Sequence, residues 1–387
     1  MVLQCYSWIL HLFQRAIGDY DDVDYFSNVP DDIIENILSR LPAQTVGQCQ
    51  KVCKKWHMLA SSLHFIGLHQ RNDVKPLTLM HVGVDHPRIF IIDGKIKKEC
   101  KLRALKELKH AKFMGSCNGL VLFASAYYFF KFFVFNPLSP KRRMTIINAE
   151  DPTLFHGIPH SFYFDSCGFF FHPLAKEYRI LSCLQSATHN KYYLYLFGAK
   201  MWRKTVNPSF GYHPSQYSCG RKNIYRTPAI VNGGLHWYTS ERIMIFDMFT
   251  EMFSVRPLPF EESYQGGSYM CDLLVERDQL CCCNVGYQER AMEIWILKDY
   301  DNWSWTRKYI IDLDLDVIKY PMRIDFTGLS VLSIHNDELI LFWRNIGLFS
   351  YHLDYNNTIH GNVVKVEIDR YDTALRREYW GYEAYKP

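Results

Sequence analysis

The chain is short of net charge. Its 44 Lys and Arg nearly balance 40 Asp and Glu, which leaves +4 over 387 residues. A nucleic-acid binder needs a concentrated basic face, so this composition argues against that class. Long apolar runs are missing too: no segment reaches the roughly 18 uninterrupted apolar residues of a membrane-spanning helix. The opening MVLQCYSWILHLFQ has no basic start, and Gln4, Ser7, His11 and Gln14 interrupt it, a poor match to a secretory leader. Residues 1–26 read as an extension, with a short amphipathic helix through Leu3, Ile9, Leu10 and Phe13, then an acidic linker.

The signatures of common chemistry are also lacking. The 12 cysteines include no Cys-x-x-Cys pair, which argues against structural zinc. They are scattered except for Cys281, Cys282 and Cys283, which read as small buried apolar residues of a strand. So many thiols point to a reducing compartment, cytoplasmic and/or nuclear. Neither a Gly-rich phosphate loop nor a Gly-x-Ser-x-Gly elbow occurs. Pro159 prevents His156 and His160 from forming a helical metal pair, and their segment reads as a surface loop. The run Asp312 to Asp316 alternates like a strand edge and lacks the glycine and distal glutamate of a calcium loop. No catalytic residue, metal site or cofactor is assigned.

What is abundant is hydrophobic and aromatic: 48% and 16% of the residues. That is enough for a sizeable core, and the aromatic enrichment favours strands. One stretch stands apart. VPDDIIENILSRLP, residues 29–42, reads as a short helix with Asn28 as cap, Pro30 near its first turn and Pro42 as its stop. Asp31 and Asp32 suit the positive end of the helix dipole. Ile33, Ile34, Ile37, Leu38 and Leu41 form an apolar stripe. PAQTVGQ has room for a turn and a short helix, and a second periodic stretch follows through Cys49, Val52, Cys53, Trp56, Leu59 and Ala60. About three short helices cannot bury their own apolar surface well. Either they cap the rest of the chain or another protein covers them.

From about residue 75 the pattern changes to strands separated by polar turns. Marker strands ending in such turns recur every 43 to 62 residues, near the roughly 50-residue period of kelch-like blades. Asn118-Gly119 and Asn232-Gly233-Gly234 are strong hairpin signals. Trp202, Trp237, Trp295, Trp303, Trp305 and Trp343 lie on or beside these strands and read as core between blades. The basic run Lys95 to Lys112 reads as a short helix with a solvated face, either a solubilising segment or a contact for an acidic partner.

These residues resemble two known families. Val29-Pro30, Ile37-Leu38, Arg40-Leu41-Pro42, Val52-Cys53-Lys54 with Trp56, and Phe65 to His69 resemble an F-box. Gly115–Leu120, Phe135–Pro137, Phe171–Arg179, Val231–Trp237, Ile243–Phe253 and Ile294–Tyr300 resemble, in order, the F-box-associated domain of plant F-box proteins. The implied fold is mainly β: an N-terminal three-helix F-box over residues 27–70, then a kelch-like β-propeller of about six blades over 75–387. The implied function is substrate recognition in a cullin–RING ubiquitin ligase, with no catalysis by the chain itself. An SKP-type adaptor, bridging to a cullin scaffold, is one implied partner and an unidentified target protein the other; no nucleic acid and no membrane are expected. The resemblance assigns adaptor contact to Val29, Pro30, Ile33, Ile37, Leu38, Leu41, Pro42 and Val46, and module core to Val52 and Trp56. Loops within 148–162, 205–227 and 260–270 are the candidates for target contact. Gly47 replaces the second of two apolar residues usual in the family, which weakens the expected adaptor contact. Two alternatives stay open: a small-ligand-binding or enzymatic propeller with an incidental helical cap, and an F-box with impaired adaptor binding.

Overall fold

The computed structural model of the chain describes residues 29–60 apart from 40 and 42, residues 62 and 65, and then the strands and short turns. The latter span 77–82, 88–93, 96–100, 105–109, 111–125, 131–137, 144–151 apart from 150, 163–185, 190–208, 227–260 apart from 240–241, 270–286, 291–312, 329–335, 338–343, 347–353 and 381–385. The chain divides into two compact units, Met1–His69 and Gln70–Pro387.

The first unit holds α1 (Asp31–Ser39), α2 (Ala43–Cys49) and α3 (Lys54–Ala60). The Pro30 carbonyl accepts the Ile33 and Ile34 N–H groups, both at 3.2 Å, so the helix starts at the proline as the sequence predicts. Ile34 and Leu38 of α1 meet Val46, Cys49, Ala60 and Phe65 in one core, with Val29, Leu41, Trp56 and Leu59 packed around it. Lys55 ties α3 to the start of α1, through the Val29 carbonyl at 2.9 Å and the Asp31 carboxylate at 3.0 Å.

The stretch from Cys49 to Ala60 is not one helix, contrary to its periodicity. It breaks at Gln50–Cys53, where Lys51 and Val52 N–H groups bond back to the Gln48 and Cys49 carbonyls. Length supplies the reason. A continuous helix over 43–60 would run about 27 Å, twice the roughly 13.5 Å of the nine-residue α1. The break lets both short helices fold back onto α1. It also puts Val52 in the turn, 39% exposed, rather than in the core assigned to it.

The second unit is built of antiparallel sheets. Strands β1 (Leu77–Val82), β2 (Arg88–Asp93) and β3 (Ile96–Glu99) begin the first; β4 (Ala111–Cys117), β5 (Leu120–Ser125), β6 (Lys131–Phe135) and β7 (Met144–Asn148) form the second. The third is β8 (Tyr163–His172), β9 (Glu177–Gln185), β10 (Asn190–Leu196) and β11 (Met201–Lys204). The fourth is β12 (Ala229–Val231), β13 (Gly234–Thr239), β14 (Arg242–Asp247) and β15 (Phe253–Pro257). The fifth is β16 (Met270–Glu276), β17 (Gln279–Gly286), β18 (Ala291–Asp299) and β19 (Ser304–Asp312). The sixth is β20 (Leu329–His335), β21 (Glu338–Trp343) and β22 (Gly347–His352). The last strand, β23 (Gly381–Tyr385), belongs to the first sheet, where Leu77 faces Tyr385 and His81 faces Gly381.

Each sheet packs on the next through its own apolar cluster. Ile89 with Phe123 and Phe133 joins the first two, Phe132 with Phe169 and Trp202 the second and third, and Phe170 with Trp237 and Phe246 the third and fourth. Val231 with Leu280 and Leu297 joins the fourth and fifth, and Ile294 with Leu339 and Leu341 the fifth and sixth. The sixth returns to the first where β20 meets β23. The order of contacts is that of a propeller whose first sheet is completed from near the other end of the sequence, so no sheet of the ring need leave a large apolar face uncovered.

The turns follow the sequence chemistry. Asn118 and Gly119, at φ 49° and 72°, and Asn232 and Gly233, at 48° and 74°, take the left-handed pairs of tight hairpins. Gly168 sits at a bulge in β8, where a Cβ would come within 2.4 Å of the buried Leu235 of the fourth sheet. The basic run 95–112 departs from expectation among its described residues: Ile96–Glu99 is strand β3, Leu105–Leu108 is a 3-10 turn, and Ala111 opens β4. Leu108 anchors that turn in the core between the first two sheets.

Candidate functional site

Helix α1 carries more apolar surface than its own unit uses. Ile34 and Leu38 form the inward row. Ile33 and Ile37, one residue earlier and four apart, form a second row turned by about 100°. They are 47% and 48% exposed. Pro30 is exposed beside them, and Val29 and Leu41 are partly covered at either end of the helix. Leu38 and Val46, at 0% and 6%, lie inside the unit. The apolar stripe of α1 is two rows wide, and Leu38 with Val46 belongs to the core of the unit. Pro42, Asn28 and Arg40 lie outside the described residues. Trp56 packs against the core as expected. Met58 on α3 is 69% exposed and was not anticipated; its position beside the buried-facing Leu59 gave no periodic signal.

Gly47 lies inside α2. A glycine there costs helix stability of about 0.5–1 kcal/mol relative to alanine.

In the second unit two buried titratable groups, His236 and Asp272, link strands. His236 on β13 bonds the Ala229 carbonyl at 3.1 Å and the Tyr300 hydroxyl at 2.8 Å, and burial lowers its pKa to about 4. It links the fourth and fifth sheets as a neutral ring. Cys281, Cys282 and Cys283 are fully buried; burial pushes the Cys281 thiol up to about 12 and holds the Cys282 thiol well above its ordinary value. Asp272 accepts the Val331 N–H at 2.9 Å, from the fifth sheet to the sixth. Trp202 and Trp237 are buried between sheets, and Trp303 and Trp305 pack beside the fourth and fifth. The side chain of Trp343, the histidines of 156–160, all of 313–316 and most of the three candidate target loops lie outside the described residues.

A helical module with one apolar row exposed, followed by a propeller of antiparallel sheets, is the architecture the chain presents. The chain matches the F-box domain over residues 26–66 and the F-box associated beta propeller domain over residues 75–368. It belongs to the plant F-box proteins that carry an F-box associated β-propeller. It is similar to F-box protein At3g07870 of Arabidopsis thaliana, 24% identical over 75% of this chain and 76% of that one. It is also similar to the putative F-box protein At3g17490 of the same plant, 24% identical over 93% and 90%. A putative F-box/kelch-repeat protein, At1g12870, is 24% identical over 81% of this chain and 77% of its own.

Proposed function

We propose that the chain is the substrate-recognition subunit of a cullin–RING ubiquitin ligase. Val29, Pro30, Ile33 and Ile37, with Leu41 at the far end, dock an SKP-type adaptor, and through it a cullin scaffold. The propeller holds the target protein. The chain makes or breaks no bond; it raises the target's effective concentration at the ligase's reactive centre. Such work fits a cytoplasmic and/or nuclear protein.

The observation that carries this reading is the second row of α1. Two isoleucines stand nearly half exposed beside a core that is already filled by Ile34 and Leu38. Burying a large aliphatic side chain is worth about 1.5–3 kcal/mol, so a partner that covers both gains substantially. The test is binding of purified SKP-type adaptor to the full chain and to an Ile33→Asp/Ile37→Asp variant. Both positions are exposed, so the variant folds, which circular dichroism checks. The variant is expected to bind about thirtyfold more weakly, equivalent to about 2 kcal/mol. Equal binding by the two proteins overturns the reading.

A further inference from the structure

Three turns meet at one end of the third and fourth sheets. They join β8 to β9, β10 to β11 and β14 to β15. Alternating strand direction puts the first two at the same end of their sheet. Ion pairs bring in the third. Arg179, nearly buried, donates to Glu177 at 3.1 Å and to Glu251 at 2.9 Å. Arg203 reaches the other oxygen of Glu251 at 2.6 Å, and Glu177 accepts the Gly198 N–H at 3.0 Å. The Phe249 ring lies edge-on to His172 with centroids 6.0 Å apart.

This arrangement turns the acidic groups inward. Glu177 and Glu251 are engaged by arginine, and Asp247 accepts the Phe249 and Thr250 N–H groups at 2.9 and 2.7 Å. What faces out is apolar and basic. Leu174 is 76% exposed, Met201 52%, Met252 50% and Phe249 48%. Among the described residues of the second unit, the large apolar side chains at least half exposed are these first three and Val206, which follows β11. Lys176 and Lys200 stand exposed at two of the turns, at φ 52° and 53°. Glycine takes that conformation without strain, whereas a side chain there costs about 1–2 kcal/mol, yet both positions carry a lysine.

We infer that this end of the third and fourth sheets seats the target, and that the seated segment is an acidic peptide stretch with one or two large apolar anchors. Leu174, Met201, Met252 and Phe249 receive the anchors, and Lys176 and Lys200 meet flanking carboxylates. Apolar anchors would set the affinity and the lysines the orientation and association rate. The inference rests on reading the propeller as the target-binding half.

The probe is a phage-displayed library of random linear peptides, selected against the full chain. The enriched peptides are expected to combine Leu, Phe or Trp with neighbouring Asp or Glu. Their affinity should fall about tenfold or more for Leu174→Asp/Met201→Asp. For Lys176→Glu/Lys200→Glu it should fall severalfold and recover when the peptide's acidic residues become lysine. All four positions are exposed, and matching thermal midpoints confirm that the variants fold. Peptides without an acidic bias, peptides that bind both variants as tightly as the parent chain, or a selection that yields no binder would each overturn the inference. Adaptor binding by the same preparations separates the two readings. Its failure with the peptide results intact removes only the ligase assignment; its success with peptides blind to the variants removes only this surface.

Discussion

The two units treat apolar surface in opposite ways. In the propeller every sheet finds a neighbour, and the ring ends where it began, with β23 beside β1 and β20. In the helical unit the core closes on one row of α1 and leaves the next row in water. Both units contain the same kinds of residue, so hydrophobicity alone does not separate a structural side chain from a binding one. Geometry does: a closed ring of sheets can cover its faces, whereas the described helices of the first unit, of nine, seven and seven residues, are too short to cover theirs.

The largest effect should come from breaking the closure. Removing residues 381–387 takes away β23, its ladder with β1 and its contact with β20. The truncated chain is expected to lose about 4 kcal/mol or more of propeller stability, seen as a lowered unfolding midpoint in urea. The helical unit supplies the matching test. Leu38→Ala should cost about 2–5 kcal/mol and lower the melting of that unit, because Leu38 is fully buried. Ile37→Ala, one position away, should change stability by less than about 0.5 kcal/mol, since Ile37 is half exposed. If both substitutions cost the same, the two-row description of α1 fails.

Those neighbouring residues also show what the sequence could convey. The stripe through Ile33, Ile34, Ile37, Leu38 and Leu41 was legible as a helix with its start at Pro30, because period and stop signals are local. Which row faces inward was not, since it depends on where α2 and α3 fold back. The same limit explains Val52 and the break after Cys49: periodicity ran through the break, and the length of α1 overruled it. In the propeller, hairpins such as Asn118-Gly119 and Asn232-Gly233 were legible because positive φ has a residue signature. The pairing of β23 with β1, some 300 residues apart, has no local signature at all. Nor has the outward surface of Leu174, Met201 and Phe249, whose third turn is tied to the other two by Arg179 and Arg203 through Glu251.

A smaller effect separates the units by pH. His236 is neutral when folded, with its pKa lowered to about 4 by burial, while an unfolded histidine titrates near 6.5. The unfolded chain therefore takes up this proton first as pH falls. Stability is intact above about pH 6.5, declines below it, and stops declining once pH passes about 4. At pH 5 the loss is about 2 kcal/mol, from about 1.4 kcal/mol per pH unit over about 1.5 units. Thermal unfolding of the parent chain at pH 7.5 and pH 5 should show it for the propeller, and a His236→Gln variant should lose that part of the pH dependence. An unchanged slope in the variant would assign the effect elsewhere.

The smallest effect concerns Gly47, where the helical unit's stability and its docking can be pulled apart. Gly47→Ala adds a methyl group to the interior of α2 and removes backbone freedom from the unfolded chain, for a gain of about 0.5–1 kcal/mol. Melting of the helical unit should rise accordingly. Gly47→Leu adds a large apolar side chain as well, the residue type that F-boxes usually place there. If the position faces the adaptor, the leucine variant should bind it severalfold more tightly than the alanine variant at equal helix stability. If the two variants differ in neither melting nor adaptor affinity, Gly47 acts through the backbone alone, and the shortfall in apolar contact at this position is without consequence.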